Sequence, residues 1–484
     1  MNKIFYLLFI CTLVSCGNDD EVYTYFGGQI VNPKHDYVVL YKNDNAFDSV
    51  KLDAHNRFSF RFDKLEGGIY KFSNQPEHQY IILEQGDSLL LRLNTMDFDE
   101  SLVFSGKGAK KNNILISQFL QDEEDKKLIK EKFFKLPPIA FKNKIDSIHD
   151  VRSNKLGIFY TNQHPSLLTQ ELLETNLDLT LYRYVEIYPY VHHKLYDEKV
   201  DETELTDAYY NFRDHINFNE EKLGGFYPYQ KYLKLYASGK SYINVSDAQP
   251  ELTAKEVVKT YPFHINKLKY LEEAITDKSV KDIVLRNAAY MFFLDEERDL
   301  SLDQEYLEEF KKYAGNNQYL PEITEIYNTI SALQAGNKIT DVHFINEEGN
   351  QEDIYDITNN TLTVYYFWSL KQKNHFHNIL KRVHELHKDF PKVNFVGVNL
   401  DLPQNEWRNT LKKFNLNTEN QYRVTDFNKT NKKLLLNKMN KVIVLDHEGI
   451  IVNAFADIYD IDFTSLLSTT QKSKNLAHHY MPNK

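Results

Sequence analysis

The stretch Leu362-Thr363-Val364-Tyr365-Tyr366-Phe367-Trp368 contains only aliphatic, β-branched and aromatic residues. Such a run is typical of a strand that is buried on both faces of a sheet. A basic segment with helical spacing follows at about residues 374–388, and residues 393–401 form a second apolar run. The order strand, helix, strand favours a parallel sheet flanked by helices, because the crossover between parallel strands is right-handed.

A third strand is predicted at residues 441–446, where Lys441-Val442-Ile443-Val444-Leu445-Asp446 precedes a turn at Glu448-Gly449. Together these elements predict a C-terminal α/β domain at residues 338–472. Residues 473–484 are predicted to form a tail.

The region before this domain has two different patterns. Residues 25–106 contain short alternating apolar runs separated by Gly, Asn and Asp, which predicts a small antiparallel β-sandwich. Residues 107–337 have helical spacing, for example at residues 167–187 and 263–275, and prolines bound these stretches. The predicted fold class is therefore multidomain α+β, with a β-sandwich, an all-helical middle domain and a C-terminal α/β domain.

The overall charge argues against nucleic acid as a partner. The 484 residues include 69 acidic and 58 basic side chains, and the formal net charge is -11. No strongly cationic composition is available to neutralise phosphates.

The first residues predict export. Lys3 precedes the apolar residues 4–14, and about eleven apolar residues are too few to span a bilayer, which needs about twenty. Leu13-Val14-Ser15-Cys16-Gly17 resembles the bacterial lipobox, in which the cysteine receives lipid and becomes the mature N-terminus. We therefore expect a signal peptide at residues 1–15 and a tether at residues 16–24. The alternative is an ordinary secretory signal with an incidental cysteine.

The resemblance to a lipobox implies an envelope location. A lipid on Cys16 would anchor the chain to a bacterial membrane, expected to be the outer membrane. The acidic residues after Cys16 resemble surface-export signals of Bacteroidetes lipoproteins, and they equally fit a solvated tether. The periplasmic and the surface face of the membrane therefore both remain open.

The sequence has two cysteines, Cys11 and Cys16. Cleavage of the signal would remove the first, and acylation would block the second. The mature chain is therefore expected to contain no free thiol and no internal disulfide.

The C-terminal domain resembles the membrane-anchored thioredoxins of the TlpA and ResA type. The resemblance rests on Phe367-Trp368-Ser369, similar to the family's FWAxWC entry, and on residues 395–401 and 444–450, similar to its later strands. It implies a thioredoxin-like fold. It places the family's CxxC motif on Gln372, Lys373, Asn374 and His375, and its cis-proline on Asn440, give or take one residue.

The N-terminal β-domain is similar to one that is common in Bacteroidetes lipoproteins ending in a thioredoxin-like domain. The similarity rests on residues 53–62 and on Phe104-Ser105-Gly106-Lys107-Gly108 before a predicted helix. The whole chain therefore resembles a Bacteroidetes-type lipoprotein whose thioredoxin-like domain lacks CxxC.

These substitutions remove the family's chemistry. Thiol-disulfide exchange needs a reactive thiolate and a second thiol that resolves the mixed disulfide. The amide of Gln372 and the imidazole of His375 supply neither. Asn440 also disfavours the cis bond, which costs about 2.5 to 4 kcal/mol outside proline. We predict no catalytic residue and no cofactor here, and a partner groove that includes Trp368 and Ser369.

Two histidine clusters are candidate metal sites. Four histidines, at positions 375, 377, 384 and 387, lie close together, but His384-Glu385-Leu386-His387 has its histidines three apart where H-E-x-x-H needs four. His192 and His193 are adjacent, so one helix cannot direct both to one ion. The sequence favours no metal at either place.

Three functions remain open from the sequence. The favoured one is a binding protein that holds an envelope protein or peptide non-covalently. The second is a non-catalytic accessory of a thiol-disulfide oxidoreductase pathway. The third is a thiol-free envelope enzyme, for which the sequence has no G-x-S-x-G elbow, P-loop or paired-carboxylate signature.

Overall fold

A computed structural model describes residues 22–295, 299–358, 360–436 and 438–479. The predicted signal peptide, Cys16 and most of the tether lie outside these residues. The chain forms two compact units that divide between Val284 and Leu285. The predicted domain limits stay predictions, because this division places the N-terminal sheets and most of the helices in one unit.

The first unit begins with eight strands and a short helix. Their bounds are β1 Thr24–Val31, β2 Tyr37–Lys42, β3 Asn45–Lys51, β4 Arg57–Phe62, β5 Gly68–Asn74, β6 Glu77–Leu83, β7 Ser88–Asn94, α1 Phe98–Ser101 and β8 Val103–Lys107. They form two sheets with the orders β4-β1-β7-β8 and β3-β2-β5-β6. All neighbouring strands are antiparallel except β1 and β7, which are parallel. The prediction of a small antiparallel β-sandwich is confirmed, with the parallel pair β1 and β7 as an exception.

Alternation along the strands builds one core between the two sheets. In β4, Phe58 and Phe60 are buried while Arg57 and Ser59 are exposed. The inner faces of both sheets contribute to a single cluster, which includes Phe26, Leu89, Val38, Phe72 and Ile81. The opposite face of the sheet β4-β1-β7-β8 is therefore left with exposed side chains.

The helices of the first unit follow directly. Their bounds are α2 Ala109–Leu128, α3 Pro138–Gln163, α4 Leu167–Tyr196, α5 Tyr227–Ala248, α6 Ala254–Val257 and α7 Tyr261–Ala274. A further helix, α8 Lys278–Phe293, spans the division between the units. The helical middle region is confirmed. Pro189, predicted as a boundary, lies inside α4, where Val185 and Tyr188 are fully buried and packing outweighs the lost hydrogen bond.

A buried ion cluster joins the strands to the helices. The Lys111 ammonium lies 2.6 Å from a carboxylate oxygen of Glu84 and 2.6 Å from one of Asp87. The Thr169 hydroxyl at the start of α4 donates to Glu84 at 2.9 Å. Because these groups are largely removed from water, each needs its partners. The cluster explains why the sheets and these helices form one compact unit.

The second unit contains the remaining elements. They are α9 Asp303–Ala314, α10 Leu320–Ala332, β9 His343–Ile345, β10 Gln351–Asp353, α11 Ile354–Thr358, β11 Thr363–Trp368, α12 Lys373–Asp389, β12 Asn394–Asn399, α13 Gln404–Lys413, β13 Gln421–Arg423, α14 Phe427–Leu434, β14 Lys441–Leu445, β15 Ile451–Asp457 and α15 Phe463–His479. The strands form one sheet in the order β10-β9-β13-β12-β11-β14-β15.

This sheet is mixed, which corrects the expectation of a parallel sheet. Strands β11, β12 and β13 are parallel, as the crossover argument predicts. Strand β14 pairs antiparallel with β11 and continues into the antiparallel strand β15. The final hairpin, formed by β14 and β15, therefore extends the sheet through two antiparallel pairs.

Strand β11 is buried on both of its faces. Tyr365 and Phe367 belong to a core on one side of the sheet. Val364, Tyr366 and Trp368 belong to a second core on the other side, which also contains residues of α12, α13 and α15. The unbroken apolar run from residue 362 to residue 368 follows from these two cores.

Among the described residues, no helix combines the length and the apolar character that crossing a bilayer requires.

Candidate functional site

The start of α12 lies just beyond the end of the central strand β11. Gln372 occupies the cap position, and Lys373 is the first helical residue. The Gln372 backbone N–H donates to the Ser369 carbonyl at 3.3 Å, and the Phe376 N–H donates to the Gln372 carbonyl at 2.9 Å. These bonds hold Gln372 and the first turn of α12 next to the strand end. The structure thus places Gln372 and His375 at the start of the first helix after a central strand.

The first turn of α12 presents polar side chains to solvent. Gln372, Lys373 and Asn374 are exposed. The Gln372 side chain makes no capping hydrogen bond, and the first turn contains no acidic residue. The free N–H groups of a helix start carry partial positive charge and attract acceptors. This surface can therefore donate hydrogen bonds to carbonyl or carboxylate groups of a ligand.

His375 is the inward-facing member of the same turn. Both of its ring nitrogens are enclosed, and neither makes a hydrogen bond to the described residues. Burial lowers the pKa of the His375 imidazole, and the nearby carbonyl of Met439 opposes this effect. Because the ordinary histidine pKa is already about 6.5, the ring is neutral at pH 7.

The loop before β14 meets the helix start at His375. Met439 and Asn440 form a turn directly before β14. The Ile458 N–H donates to the Asn440 carbonyl at 3.2 Å, which holds the turn to the end of β15. The peptide bonds on either side of Asn440 are not in cis, since the cis bond of the described chain joins Gln75 to Pro76. The predicted motif position and the predicted cis-proline position are thus neighbours in the fold.

A polar network lies beneath this surface. The Ser369 hydroxyl donates to the Asp401 carboxylate at 2.7 Å and accepts from the Lys371 backbone N–H at 3.1 Å. The fully buried Asn399 donates to the Trp368 carbonyl at 3.3 Å and accepts from the Asp401 N–H at 3.2 Å. The network ties the ends of β11 and β12 together.

Asn399 and Asp401 were missed as site residues in the sequence. Asn399 is the last residue of β12, the parallel neighbour of β11, and Asp401 lies two residues later, so their side chains meet Trp368 and Ser369 at the end of β11. The rule that the carboxyl ends of parallel strands share one edge was the signal that could have found them.

Trp368 does not form the surface of a groove, which corrects that prediction. The side chain is 0% exposed, and its ring centroid lies 5.1 Å from that of Phe376. The indole N–H donates to the Gln421 side-chain oxygen at 3.1 Å, and the Gln421 amide donates to the Tyr366 hydroxyl at 2.8 Å. Ser369 is also buried and bonded to Asp401. The exposed residues of this region are those of the first turn of α12.

The two histidine clusters have separate partners. His192 Nδ1 lies 2.7 Å from the Phe134 carbonyl, while His193 Nδ1 faces the Tyr242 hydroxyl. His377 Nδ1 lies 2.7 Å from the Lys373 carbonyl. Within the part of the chain that the structure describes, no group of three His, Cys, Asp or Glu side chains is placed to hold a metal ion.

Residues 359–451 match the Thioredoxin_8 family, which is described as thioredoxin-like. The C-terminal domain is thioredoxin-like. The match begins before β11 and ends at the start of β15, so it includes both predicted motif positions of the thioredoxin-like domain.

Solved structures from Bacteroides species are similar to this chain. The thioredoxin domain of a thiol-disulfide oxidoreductase from Bacteroides vulgatus is 20% identical and covers 29% of this chain and 97% of its own, with a TM-score of 0.23. A thiol-disulfide oxidoreductase from Bacteroides fragilis is 19% identical and covers 29% and 99%, with a TM-score of 0.22. A thioredoxin-like protein from Bacteroides caccae is 16% identical and covers 49% and 92%, with a TM-score of 0.29. No curated protein matches the chain.

The half-buried His375 predicts a pH-dependent stability of the thioredoxin-like domain. The folded chain binds the second ring proton of His375 less tightly than the unfolded chain does. The free energy of unfolding therefore falls as the pH decreases through about 6.5. Between pH 7.5 and pH 5, the urea concentration at which half of the chain is unfolded should decrease. We expect this decrease to be smaller in His375→Asn than in wild type. The control is His384→Asn, which changes an exposed histidine of the same helix. An equal pH slope for wild type and His375→Asn would contradict the prediction.

Proposed function

We propose that this chain is an envelope lipoprotein, anchored through Cys16, whose thioredoxin-like domain binds a partner polypeptide without thiol-disulfide chemistry. The observation that carries the proposal is the occupancy of the α12 start by Gln372 and His375. Neither side chain can attack a disulfide sulfur. The chain has two cysteines, at positions 11 and 16, and both precede the first described strand.

The fold supports binding because the exposed surface at the start of α12 is suited to a polypeptide. Gln372 and Asn374 offer side-chain amides, and the helix start offers free backbone N–H groups. The Lys371 side chain is 74% exposed and lies 3.9 Å from the Asp401 carboxylate, so a surface cation stands beside the helix start. A ligand that presents backbone carbonyls or an acidic side chain would meet donors throughout this surface.

The polar network beneath the start of α12 supports the same proposal. Ser369, Asn399 and Asp401 hold the strand ends and the turn that leads into α12. A preorganised surface loses less conformational entropy when a ligand binds. The network therefore maintains the shape of the surface in the absence of the thiols that the family resemblance implies.

Restoring two cysteines at the aligned positions tests the correspondence. Residues three apart in a helical turn have Cβ atoms about 5 to 6 Å apart, within reach of a disulfide after small adjustments. We expect Gln372→Cys/His375→Cys to form an internal disulfide and to reduce insulin at least about tenfold faster than wild type, whose rate should equal the buffer blank. The measurement is insulin turbidity with dithiothreitol.

The matched control is Lys381→Cys/His384→Cys, an exposed pair with the same spacing in the middle of α12. It should not gain this activity, because the helix start lowers the thiol pKa and the helix middle does not. Insulin reduction by the wild-type chain would overturn the proposed loss of redox chemistry.

Site-specific photocrosslinking tests the proposed partner surface. We expect p-benzoylphenylalanine at Asn374 to give a discrete adduct in intact cells, because this side chain is exposed in the first turn of α12. The same probe at Lys388, exposed in the last turn, is the control and should give none. Adducts at both positions, or at neither, would contradict a partner at the helix start. An adduct that contains a CxxC protein would favour the alternative role beside an oxidoreductase.

The anchor has its own test. We expect the mature chain to carry a diacylglycerol mass on its Cys16 sulfur and to sediment with membranes. Cys16→Ala should release it to the soluble fraction, because each buried CH₂ of the lipid contributes about 0.8 kcal/mol to membrane binding. Intact mass spectrometry and fractionation measure both. An unmodified Cys16, or membrane binding that survives the substitution, would exclude the lipid anchor and leave the test at α12 unaffected.

A further inference from the structure

The outer face of the sheet β4-β1-β7-β8 carries its side chains in three rows that run across the strands. In the first row, Gln29 pairs with Arg57 on one side and with Arg92 on the other, and Arg92 pairs with Val103. Arg57, Arg92 and Val103 are exposed. Adjacent strands lie about 4.8 Å apart, so the two arginines start about 10 Å from each other.

Most positions of the middle row carry short side chains or none, so this row lies below its neighbours. Gly27 pairs with Ser59 and with Leu90, and Leu90 pairs with Ser105. Gly27 has no side chain, and a Cβ built there would lie 2.5 Å from the Phe58 carbonyl oxygen, so the site favours glycine. The two serines are short, which leaves Leu90 as the single large side chain of this row.

The third row is again cationic. Tyr25 pairs with Arg61 and with Ser88, and Ser88 pairs with Lys107. Arg61 and Lys107 are exposed. The Arg61 guanidinium lies 3.8 Å from the centre of the Tyr23 ring and 3.8 Å from the Asp63 carboxylate, so Lys107 is the less compensated cation of this row. Arg57 and Arg61 are four residues apart on one strand, or about 13 Å. A low middle row therefore lies between two rows that carry cations.

A cavity of about 1000 Å³ opens above the first two rows, and its lining includes Arg57, Arg92, Lys51, Ser59 and Ser105. We call this cavity and the middle row the trough. It lies on the face opposite the core of the β-domain and contains no residue of the thioredoxin-like domain.

The trough has a net positive charge, because its lining contains Lys51, Arg57 and Arg92 and one carboxylate, Asp53. Among the described residues, no carboxylate oxygen lies within 4.0 Å of a guanidinium nitrogen of Arg57 or Arg92. Asp53 also lines the trough, where its carboxylate accepts backbone N–H groups of Arg57 and His55. These bonds and the nearby charge of Arg57 lower the pKa of Asp53, so this carboxylate stays ionised and offsets part of the positive charge. Exposed cations in excess of the carboxylates that line the trough, on a chain of net charge -11, form a surface suited to anions.

We propose that the trough binds a linear acidic polysaccharide. Carboxylates of the polymer would pair with Arg57 and Arg92, since guanidinium groups bind carboxylates through two parallel hydrogen bonds. Sugar hydroxyls would bond to Ser59, Ser105 and the Gln29 amide.

The apolar side chains of the trough suit the C–H faces of sugar rings. Leu90 is 50% exposed and Val103 is 59% exposed. Mixed apolar and hydroxyl-bearing side chains between cations match a polymer that carries both rings and carboxylates.

The geometry favours a polysaccharide over two other anions. A peptide that adds to a sheet pairs through a strand edge, whereas this face offers side chains only. A bilayer surface is broad and would contact the cationic rows without reaching Gly27 at the floor. A single polymer chain can lie in the middle row and meet cations on both sides.

Affinity electrophoresis of the full chain in detergent tests this proposal. We expect polygalacturonate in the gel to retard the chain, and neutral galactan to leave its mobility unchanged. Arg57→Gln/Arg92→Gln should weaken binding at least about tenfold, since two charge-assisted pairs are lost. Ser105→Glu, which places an acid in the trough and keeps both arginines, should weaken it as well.

The control pair is Lys127→Gln/Lys130→Gln, which removes the same charge from exposed positions near the end of α2. Thermal melting by circular dichroism verifies that each variant is folded. Equal retardation by both polysaccharides, or an equal loss in the control pair, would overturn the proposal. Stronger binding to polyglutamate or to phosphatidylglycerol vesicles than to polygalacturonate would overturn it in favour of an acidic peptide or a membrane.

Discussion

The packing of Phe376 against Trp368 determines where α12 begins, and the candidate site of the thioredoxin-like domain depends on that position. Trp368 ends the central strand with its ring in the core, and Phe376 lies one turn into the helix. Gln421 fixes the indole from the other side through its hydrogen bond. The side chains of Trp368 and Phe376 are fully buried. Residues 373–375, which precede Phe376 in the helix, must therefore face the strand end or solvent.

This arrangement does not require sulfur. Tyr366, Gln421 and Trp368 form a chain of buried hydrogen bonds, and Gly397 leaves the space for it, since a Cβ at Gly397 would lie 2.6 Å from the Tyr366 hydroxyl. Buried polar groups stabilise a unique packing only when each one has its partners. The scaffold therefore does not depend on the side chains of Gln372 and His375 at the helix start, because the groups that hold it lie beneath them.

The sequence was most informative where burial was complete. The apolar run ending at Trp368 identified the central strand, and the short alternating apolar runs of residues 25–106 identified a two-layered β-domain. The direction of β14 was not available from local pattern, because an apolar run has the same composition in a parallel and an antiparallel pair. Trp368 was assigned to a groove by resemblance, whereas β11 is buried on both faces and the Trp368 side chain lies in one of the two cores. The outer face of the β-domain was also missed, since its arginines become neighbours only through strand register.

The two candidate surfaces differ in the physical reason for their exposure. The start of α12 is exposed because a helix end has N–H groups that no helical carbonyl can reach, so any chain with this fold presents donors there. The trough is exposed because the β-domain has one core and its second face has no covering layer. On such a face, isolated cations would suffice for solubility, and alternating charges would neutralise one another. Arg57 and Arg92 instead flank Gln29 in register, with no carboxylate of the described residues within ion-pair distance. Repulsion between them is relieved when an anion occupies the space between, and that relief favours a bound polymer over an empty trough.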